Sequence, residues 1–179
     1  MTMYFNTSQI ILTNRTFDHA EKLATMYFRL SQKDMKAHRY EVKTLKHLED
    51  HEIVDRAFAH LCKYHYQKGE NISHPEEFQF FRICLQDNRI LDAVERANSF
   101  IKLVPLMLYI ATHELVHVIR FNGGESDFDA PLEEKVKEEE RVHNITRNIL
   151  KSSADVDLKL VIDCFCDQYN IGDICSIEN

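Results

Sequence analysis

The sequence predicts a single-domain, all-α helical bundle of about five to six helices, and three observations lead to that prediction. The chain has 179 residues, 44% of them hydrophobic and 28% charged, which suits one folded domain with one core. Its four Gly and three Pro provide few helix breakers. Residues 103–121 are apolar nearly all round, so they predict a central helix that is buried on most sides.

The N-terminal part is predicted to contain an arm and two helices, within one domain that covers residues 1–179. Residues 1–14 are expected to form the arm, and Thr16 can cap a first helix that runs to about Lys36. A second helix is predicted from about residue 38 to residue 67, because apolar residues recur there at helical spacing. Gly69 would end it.

The C-terminal part is predicted to contain three helical stretches after a short segment at 78–85 that is not assigned to a type. The first runs from about residue 89 to residue 121 and stops at Asn122-Gly123-Gly124. Pro131 fits the first turn of the next helix, which reaches about Lys151. A final helix is expected from residue 152 or 153 to about Tyr169.

Charge and apolar patterning exclude some classes of function. The net charge of −7 argues against a broad nucleic-acid surface, which would need a basic face. The first five residues lack the basic and apolar segments of a signal peptide. The longest apolar run, 103–111, is too short to span a bilayer, so no membrane partner is expected. The apolar helices are compatible with a homodimer but do not require one.

The cysteines favour a reduced compartment. There are five of them, an odd number without a paired framework, which indicates a cytoplasmic protein. The pair at 164 and 166 lacks the spacing of common zinc sites, so it is interpreted as structural or surface thiols. The five are Cys62, Cys84, Cys164, Cys166 and Cys175.

The predicted central helix carries the motif with the most chemical content. His113-Glu114-Leu115-Val116-His117 reads H-E-x-x-H. Residues four apart lie on one face of a helix, so His113 and His117 can bind the same metal ion. Glu114 lies one position round, within reach of a water molecule on that ion. A carboxylate on a mostly buried helix is costly unless it is paired or near a metal, which favours a metal site.

The following helix repeats half of this pattern, since Glu140 and His143 have the spacing of Glu114 and His117. Helices joined by a short loop pack antiparallel. The register of such a hairpin places Glu114 near His143 and His117 near Glu140, to within about one helical turn. These four residues are therefore expected to meet at one level, with His113 beside them.

Two histidines and one glutamate are common ligands of catalytic zinc, so His113, His117 and Glu140 are the predicted zinc ligands. Over residues 109–143 the chain resembles the zincin metallopeptidases whose third ligand is a Glu on the following helix. The resemblance implies a zinc-dependent hydrolase acting on a peptide or small molecule, in which Glu114 is the general base on a zinc-bound water. His143 would steady the developing oxyanion.

Two points of this interpretation stay open. Glu138 and Glu139 are adjacent to Glu140, so either could replace it as third ligand. Zincins also present an edge strand that holds the peptide substrate, and no convincing strand is predicted before the motif. The lack of a predicted strand weakens the prediction of peptide cleavage more than the prediction of metal binding.

A second metal chemistry is an alternative. Glu114, His117, Glu140 and His143 could hold two iron or manganese ions, as paired E-x-x-H helices do in the ferritin-like dimetal proteins. Those proteins separate the two helices by another helix, whereas here they are consecutive. Further carboxylates would come from earlier in the chain. The candidates are Glu21, Glu41, Glu49, Glu52 and Glu95.

A third interpretation needs no turnover. The protein could be a helical interaction module in which a structural metal, or a buried Glu–His network, locks the helix hairpin. A structural zinc site is closed by four protein ligands, whereas a catalytic one keeps a position for water. His47 and His51 are four residues apart and could supply another ligand, but exposed pairs of this kind are common. Tyr109 is expected to pack in the core.

Overall fold

The computed structural model describes residues 3–68 and 76–166, and their architecture is mixed α/β, so the all-α prediction is wrong. The sheet forms in the part of the chain that was predicted to be the second helix and the segment after it. In chain order the described elements are α1 (Thr7–Phe28), α2 (Gln32–Ala37), β1 (Tyr40–Lys43), β2 (Ala59–Lys68), β3 (Glu76–Leu85), α3 (Asp87–Arg96), α4 (Leu103–Asn122), α5 (Leu132–Lys151) and α6 (Val156–Cys166).

The three described strands form one sheet in the order β1-β3-β2. The central strand β3 pairs in parallel with β1 and antiparallel with β2. Phe81, Ile83 and Leu85 alternate along β3 and are fully buried in the core. β2 is an edge strand of this sheet, and it precedes the H-E-x-x-H motif in the chain.

The helix predicted at 38–67 is wrong for a physical reason. Phe58, Leu61 and Cys62 have helical spacing, but Leu61 also alternates with its neighbours as a strand requires. Pairing with β3 decides the outcome, and the partner of Leu61 on β3 is Ile83, more than twenty residues further along the chain. The local periodicity of a sequence carries no information about such pairing between strands. The turn expected at Gly69 lies outside the described residues.

The N-terminal arm is shorter than predicted, because α1 begins at Thr7. Asn6 caps it by accepting a hydrogen bond from the backbone N–H of Gln9 at 2.9 Å, and the Gln9 side chain accepts one from the Asn6 backbone at 2.8 Å. The helix ends at Phe28, where Arg29 adopts a left-handed conformation with φ 53°. α2 is therefore a separate short helix.

The central helix predicted from the sequence is confirmed as α4. Its residues 106–120 are all buried, and it contacts α1, α3, α5, α6 and β2. Asn122 is its last residue, as expected from the Gly pair that follows. The helical stretch predicted at 89–121 is instead two helices, α3 and α4, separated where Asn98 and Ser99 have left-handed φ values of 49° and 75°. α5 also matches its predicted range, whereas the predicted end of α6 near Tyr169 lies outside the described residues.

α4 has the length and apolar composition of a membrane span, with a mean hydropathy of 1.2 in its most apolar window. Yet 83% of that window is buried inside the protein. The apolar character of α4 is therefore accounted for by its place in the core.

Two polar residues at the end of β3 hold the segment between β1 and β2 in place. Gln86 donates its side-chain N–H to the carbonyl of Glu52 at 2.9 Å, and its backbone N–H to the carbonyl of Phe58 at 2.8 Å. Asp87 accepts hydrogen bonds from the backbone N–H groups of Phe5 at 2.9 Å and Leu45 at 3.0 Å. These bonds satisfy buried groups and fix the path of residues 52–58.

Glu52 is the centre of a buried charge network on the sheet. It is fully buried, accepts a hydrogen bond from Tyr64, and pairs with the guanidinium of Arg82 at 2.6 Å. Burial alone would raise the pKa of Glu52. The hydrogen bonds from Tyr64, from the Glu49 backbone and from Arg82 instead lower it to about 2.

We expect Glu52→Gln to destabilise the fold by about 3 kcal/mol near neutral pH, because it leaves the charge of Arg82 without its buried partner. The pKa of Glu52 is lowered on folding, so its contribution is complete above its ordinary pKa of 4.5 and is lost as pH falls towards about 2. Urea unfolding of the wild type and the variant between pH 7 and pH 2 measures this difference. Glu140→Gln is the matched control, since Glu140 is exposed. A difference that stays constant over this pH range would contradict the assignment.

Candidate metal centre

The H-E-x-x-H motif lies in the wall of a cavity of about 530 Å³. α4 contributes one wall, α5 a second, and residues 54–61, which lead into β2, a third. His113 and His117 are one turn apart on α4, and both are buried. The helix therefore presents two imidazoles to one cavity.

The Nε2 atoms of both histidines converge on the carboxylate of Glu139 from α5. The distance from His117 Nε2 to Glu139 Oε1 is 3.0 Å, and that from His113 Nε2 to Glu139 Oε2 is 3.3 Å. Among the described residues, the buried Nδ1 atoms of the two rings have no hydrogen-bond partner, so the Nε2 atoms carry the polar interactions of both rings.

Two of the separations in this cluster fit a zinc ion, and the donor atoms of His113, Glu139 and His143 all lie within 4.8 Å of one another. Ligand atoms about 2.0–2.1 Å from a tetrahedral zinc ion lie about 3.3 Å from one another. The two His–Glu distances, 3.0 and 3.3 Å, are close to that separation. Burial would raise the pKa of Glu139, but the hydrogen bonds and charges of His113 and His117 hold it far below its usual range. Glu139 is therefore present as a carboxylate, the form that binds metal. Burial would lower the pKa of His113, but the hydrogen bond and charge of Glu139 raise it, so a metal ion would have to displace a proton from this ring.

A buried ion pair sets the register of α5 against α4. Arg120, one turn after His117, donates from Nε to Glu138 Oε1 at 2.6 Å and from Nη2 to Oε2 at 3.0 Å. Both side chains are less than a tenth exposed, and Nη1 of Arg120 also pairs with Glu125 at 2.5 Å. Because Glu138 is tied to Arg120, the next residue, Glu139, is directed at the two histidines.

Glu140, the third ligand predicted from the sequence, lies outside this cluster. It is exposed, and Glu139 occupies the position expected for it. The predicted register was therefore one residue in error on α5. One residue is about 100° of rotation around a helix, which is enough to turn a side chain from the cavity to solvent.

His143 lies in the cluster as predicted, and Tyr109 is its partner. His143 Nε2 is 3.9 Å from Glu139 Oε2, and the His143 ring is 4.5 Å from that of His113 between centroids. The hydroxyl of Tyr109 is 2.8 Å from His143 Nδ1. Burial and the neighbouring His113 lower the pKa of His143 to about 4, so it is neutral at pH 7. Tyr109 packs in the core as expected, stacked on Phe165, but it also orients a site residue.

Glu114 lines the cavity beside the histidines and is itself buried. Burial raises the pKa of its carboxyl group above the usual value, while the neighbouring histidines act in the opposite direction. A carboxylate that is desolvated in this way is a better proton acceptor than one in water.

The carboxylates proposed for a dimetal site are not brought to this cavity. Glu21 accepts a hydrogen bond from Tyr40, while Glu41 and Glu52 pair with Arg82. Glu49 and Glu95 are exposed, and none of the five lines the cavity. His47 and His51 are also exposed and away from it, with His51 bonded to Tyr64.

None of the protein-family models, curated proteins or solved structures compared with the chain matches it.

We expect Glu139→Ala to weaken zinc binding at this site by more than about 100-fold, which is the upper range for loss of an outer-shell partner. The reason is that the zinc ion would lose its third ligand and keep only the two histidine Nε2 atoms. Zinc titration of chelator-treated protein measures the effect. Glu140→Ala is the matched control on the adjacent, exposed residue, and it should bind zinc like the wild type. Equal affinities for the two variants would contradict the ligand assignment.

Proposed function

We propose that the protein is a zinc-dependent hydrolase that cleaves peptides, with a site similar to that of the zincin metallopeptidases. The observation that carries the proposal is the convergence of two Nε2 atoms and the Glu139 carboxylate in the wall of an open cavity. His113, His117 and Glu139 would hold the ion. A reduced compartment such as the cytoplasm is part of the proposal, since the described cysteines Cys62 and Cys84 are free thiols.

Glu114 has the position and environment of a general base. A zinc ion at this site would lower the pKa of a water molecule and polarise a peptide carbonyl. Glu114 would accept a proton from the attacking water on its carboxylate and deliver it to the leaving amine. Its burial in the cavity wall excludes competing solvent and keeps its basicity above that of an exposed glutamate.

The position of the edge strand β2 supports the proposal that the substrate is a peptide. Ala59, His60 and Leu61, at the start of β2, line the same cavity as the histidines. The outer side of an edge strand has backbone N–H and C=O groups that can pair with an extended peptide. The resemblance to the zincins implies such a strand before the H-E-x-x-H helix, and β2 precedes that helix as an edge strand of the described sheet.

The cavity also favours an apolar side chain on the substrate. Phe58, Phe121, Phe128 and Phe165 contribute aromatic rings to its lining. Its volume of about 530 Å³ lies in the range of small-molecule and side-chain pockets. We therefore expect cleavage beside apolar rather than charged residues.

His143 is better placed to donate a hydrogen bond than to close the coordination shell. If Tyr109 donates its hydroxyl proton to Nδ1, the neutral ring carries its own proton on Nε2. A protonated Nε2 cannot bind a metal, but it can donate to an oxyanion that develops in the cavity. Three protein ligands then leave a position for water, which distinguishes this proposal from a closed structural site.

We expect Glu114→Gln to keep the zinc content of the wild type and to lose hydrolysis by at least about 100-fold, because a general base contributes 10²–10⁴ in rate. A pool of quenched fluorescent peptides, assayed with zinc-loaded protein, measures the activity. Activity that survives in the purified variant would contradict the mechanism.

His143→Ala separates the catalytic site from a structural one in the same assays. The proposal predicts little change in zinc affinity and a large loss of rate. A fall in affinity as large as that of Glu139→Ala would instead identify His143 as a fourth ligand and the site as structural. An absence of hydrolysis in the zinc-loaded wild type across the peptide pool would count against peptidase activity itself.

A further inference from the structure

We propose that His60, Cys62 and Cys84 form a separate binding site for a thiophilic metal ion, with zinc as the expected occupant. The site lies on β2 and β3 and uses none of the residues of the H-E-x-x-H cluster. The proposal of this second site is therefore independent of the hydrolase proposal.

The antiparallel pairing of β2 and β3 brings the three side chains together. His60 lies directly opposite Cys84 in the ladder, and Cys62 follows His60 by two residues on the same strand. Because side chains alternate along a strand, all three lie on one face of the sheet. The neighbouring pair Leu61 and Ile83 lies on the other face, towards the core.

The distances among the donor atoms are those of a zinc site. The Sγ atoms of Cys62 and Cys84 are 3.8 Å apart, and Cys62 Sγ is 3.4 Å from His60 Nε2. All three donor atoms lie within 4.8 Å of one another. With Zn–S about 2.3 Å and Zn–N about 2.0–2.1 Å, tetrahedral ligation places two sulfurs about 3.8 Å apart and a sulfur and a nitrogen about 3.5 Å apart.

A disulfide is a poorer outcome for the same pair. Cys62 faces Arg82 in the ladder, so Cys62 and Cys84 are diagonal rather than opposite neighbours. Diagonal positions in an antiparallel pair have Cα atoms about 7–8 Å apart, whereas disulfides usually need about 4.4–6.8 Å. A metal ion accommodates the wider spacing because it lies between the two sulfurs.

The local electrostatics act in opposite directions on the two thiols, of which the thiolate is the ligating form. The hydrogen bond with Cys62 and burial raise the pKa of Cys84, so an ion at this site would have to displace the proton of that thiol. The Cys84 thiol donates a hydrogen bond to Cys62 Sγ and lowers the pKa of Cys62, and the nearby Arg82 guanidinium acts in the same direction. Glu52 does not compete as a ligand, because Arg82 and Tyr64 engage its carboxylate. Cys84 is fully buried, so this site excludes most solvent from one ligand.

An ion at this site would fasten β2 to β3 beside the cavity. His60 is part of the cavity lining as well as of the proposed ligand set. Metal binding would therefore fix the edge strand against which a peptide would lie, and it would stabilise the sheet by the free energy of binding.

Cobalt(II) titration of the full-length protein, stripped of metal and kept reduced, tests the proposal. Thiolate ligands give cobalt an intense sulfur-to-metal charge-transfer band in the near ultraviolet, and the His–Glu site contains no sulfur. The wild type and His117→Ala should both show this band. Cys84→Ser should lose it and should bind zinc at this site more weakly by at least about 100-fold.

Cys164→Ser is the matched control, since Cys164 lies on α6, outside the sheet, and it should retain the band. Metal analysis should find one zinc ion fewer per chain in Cys84→Ser than in the wild type. Absence of the band in the folded wild type at saturating cobalt would overturn the proposal, whether or not any variant folds. A band that persists in Cys84→Ser would also overturn it, because other thiols would then be the ligands.

Discussion

The ion pair between Arg120 and Glu138 is the constraint on which the candidate site depends. α4 is apolar on nearly every side, and α5 turns a face with Val142, Ile149 and Leu150 into the core. A buried guanidinium without a partner is costly, and Glu138 supplies a bidentate one. Once these two residues are joined, Glu139 must face His113 and His117. The same ion pair therefore determines both the register of α5 on α4 and the choice of Glu139 as candidate ligand.

The sheet completes the site from the opposite side. Gln86, at the end of β3, ties down Glu52 and Phe58, and with them the segment that leads into β2. That segment and the start of β2 form the wall of the cavity that faces α4 and α5. The polar interactions of the loop thus determine what can approach the candidate metal ligands. Without this wall, the proposed site would offer no edge strand to a peptide.

The sequence predicted the helix that carries the ligands better than it predicted their partners. Periodicity and the Gly pair located α4, because burial on all sides and a helix stop are local signals. Local patterns in the sequence did not locate β2 and β3, because these strands are defined by pairing between distant residues. They also did not distinguish Glu139 from Glu140, which are about 100° apart around the helix. Arg120 was the overlooked signal: a buried cation on an apolar helix requires an anionic partner, and that partner helps to fix the register.

Anomalous diffraction at the zinc edge, from crystals of the zinc-loaded protein, tests the central claim most directly. The account predicts a peak about 2.0–2.2 Å from the Nε2 atoms of His113 and His117 and from a carboxylate oxygen of Glu139. The Arg120–Glu138 pair should be intact in the same crystals. A zinc ion bound by Glu140, or no peak between α4 and α5 at saturating zinc, would contradict the account.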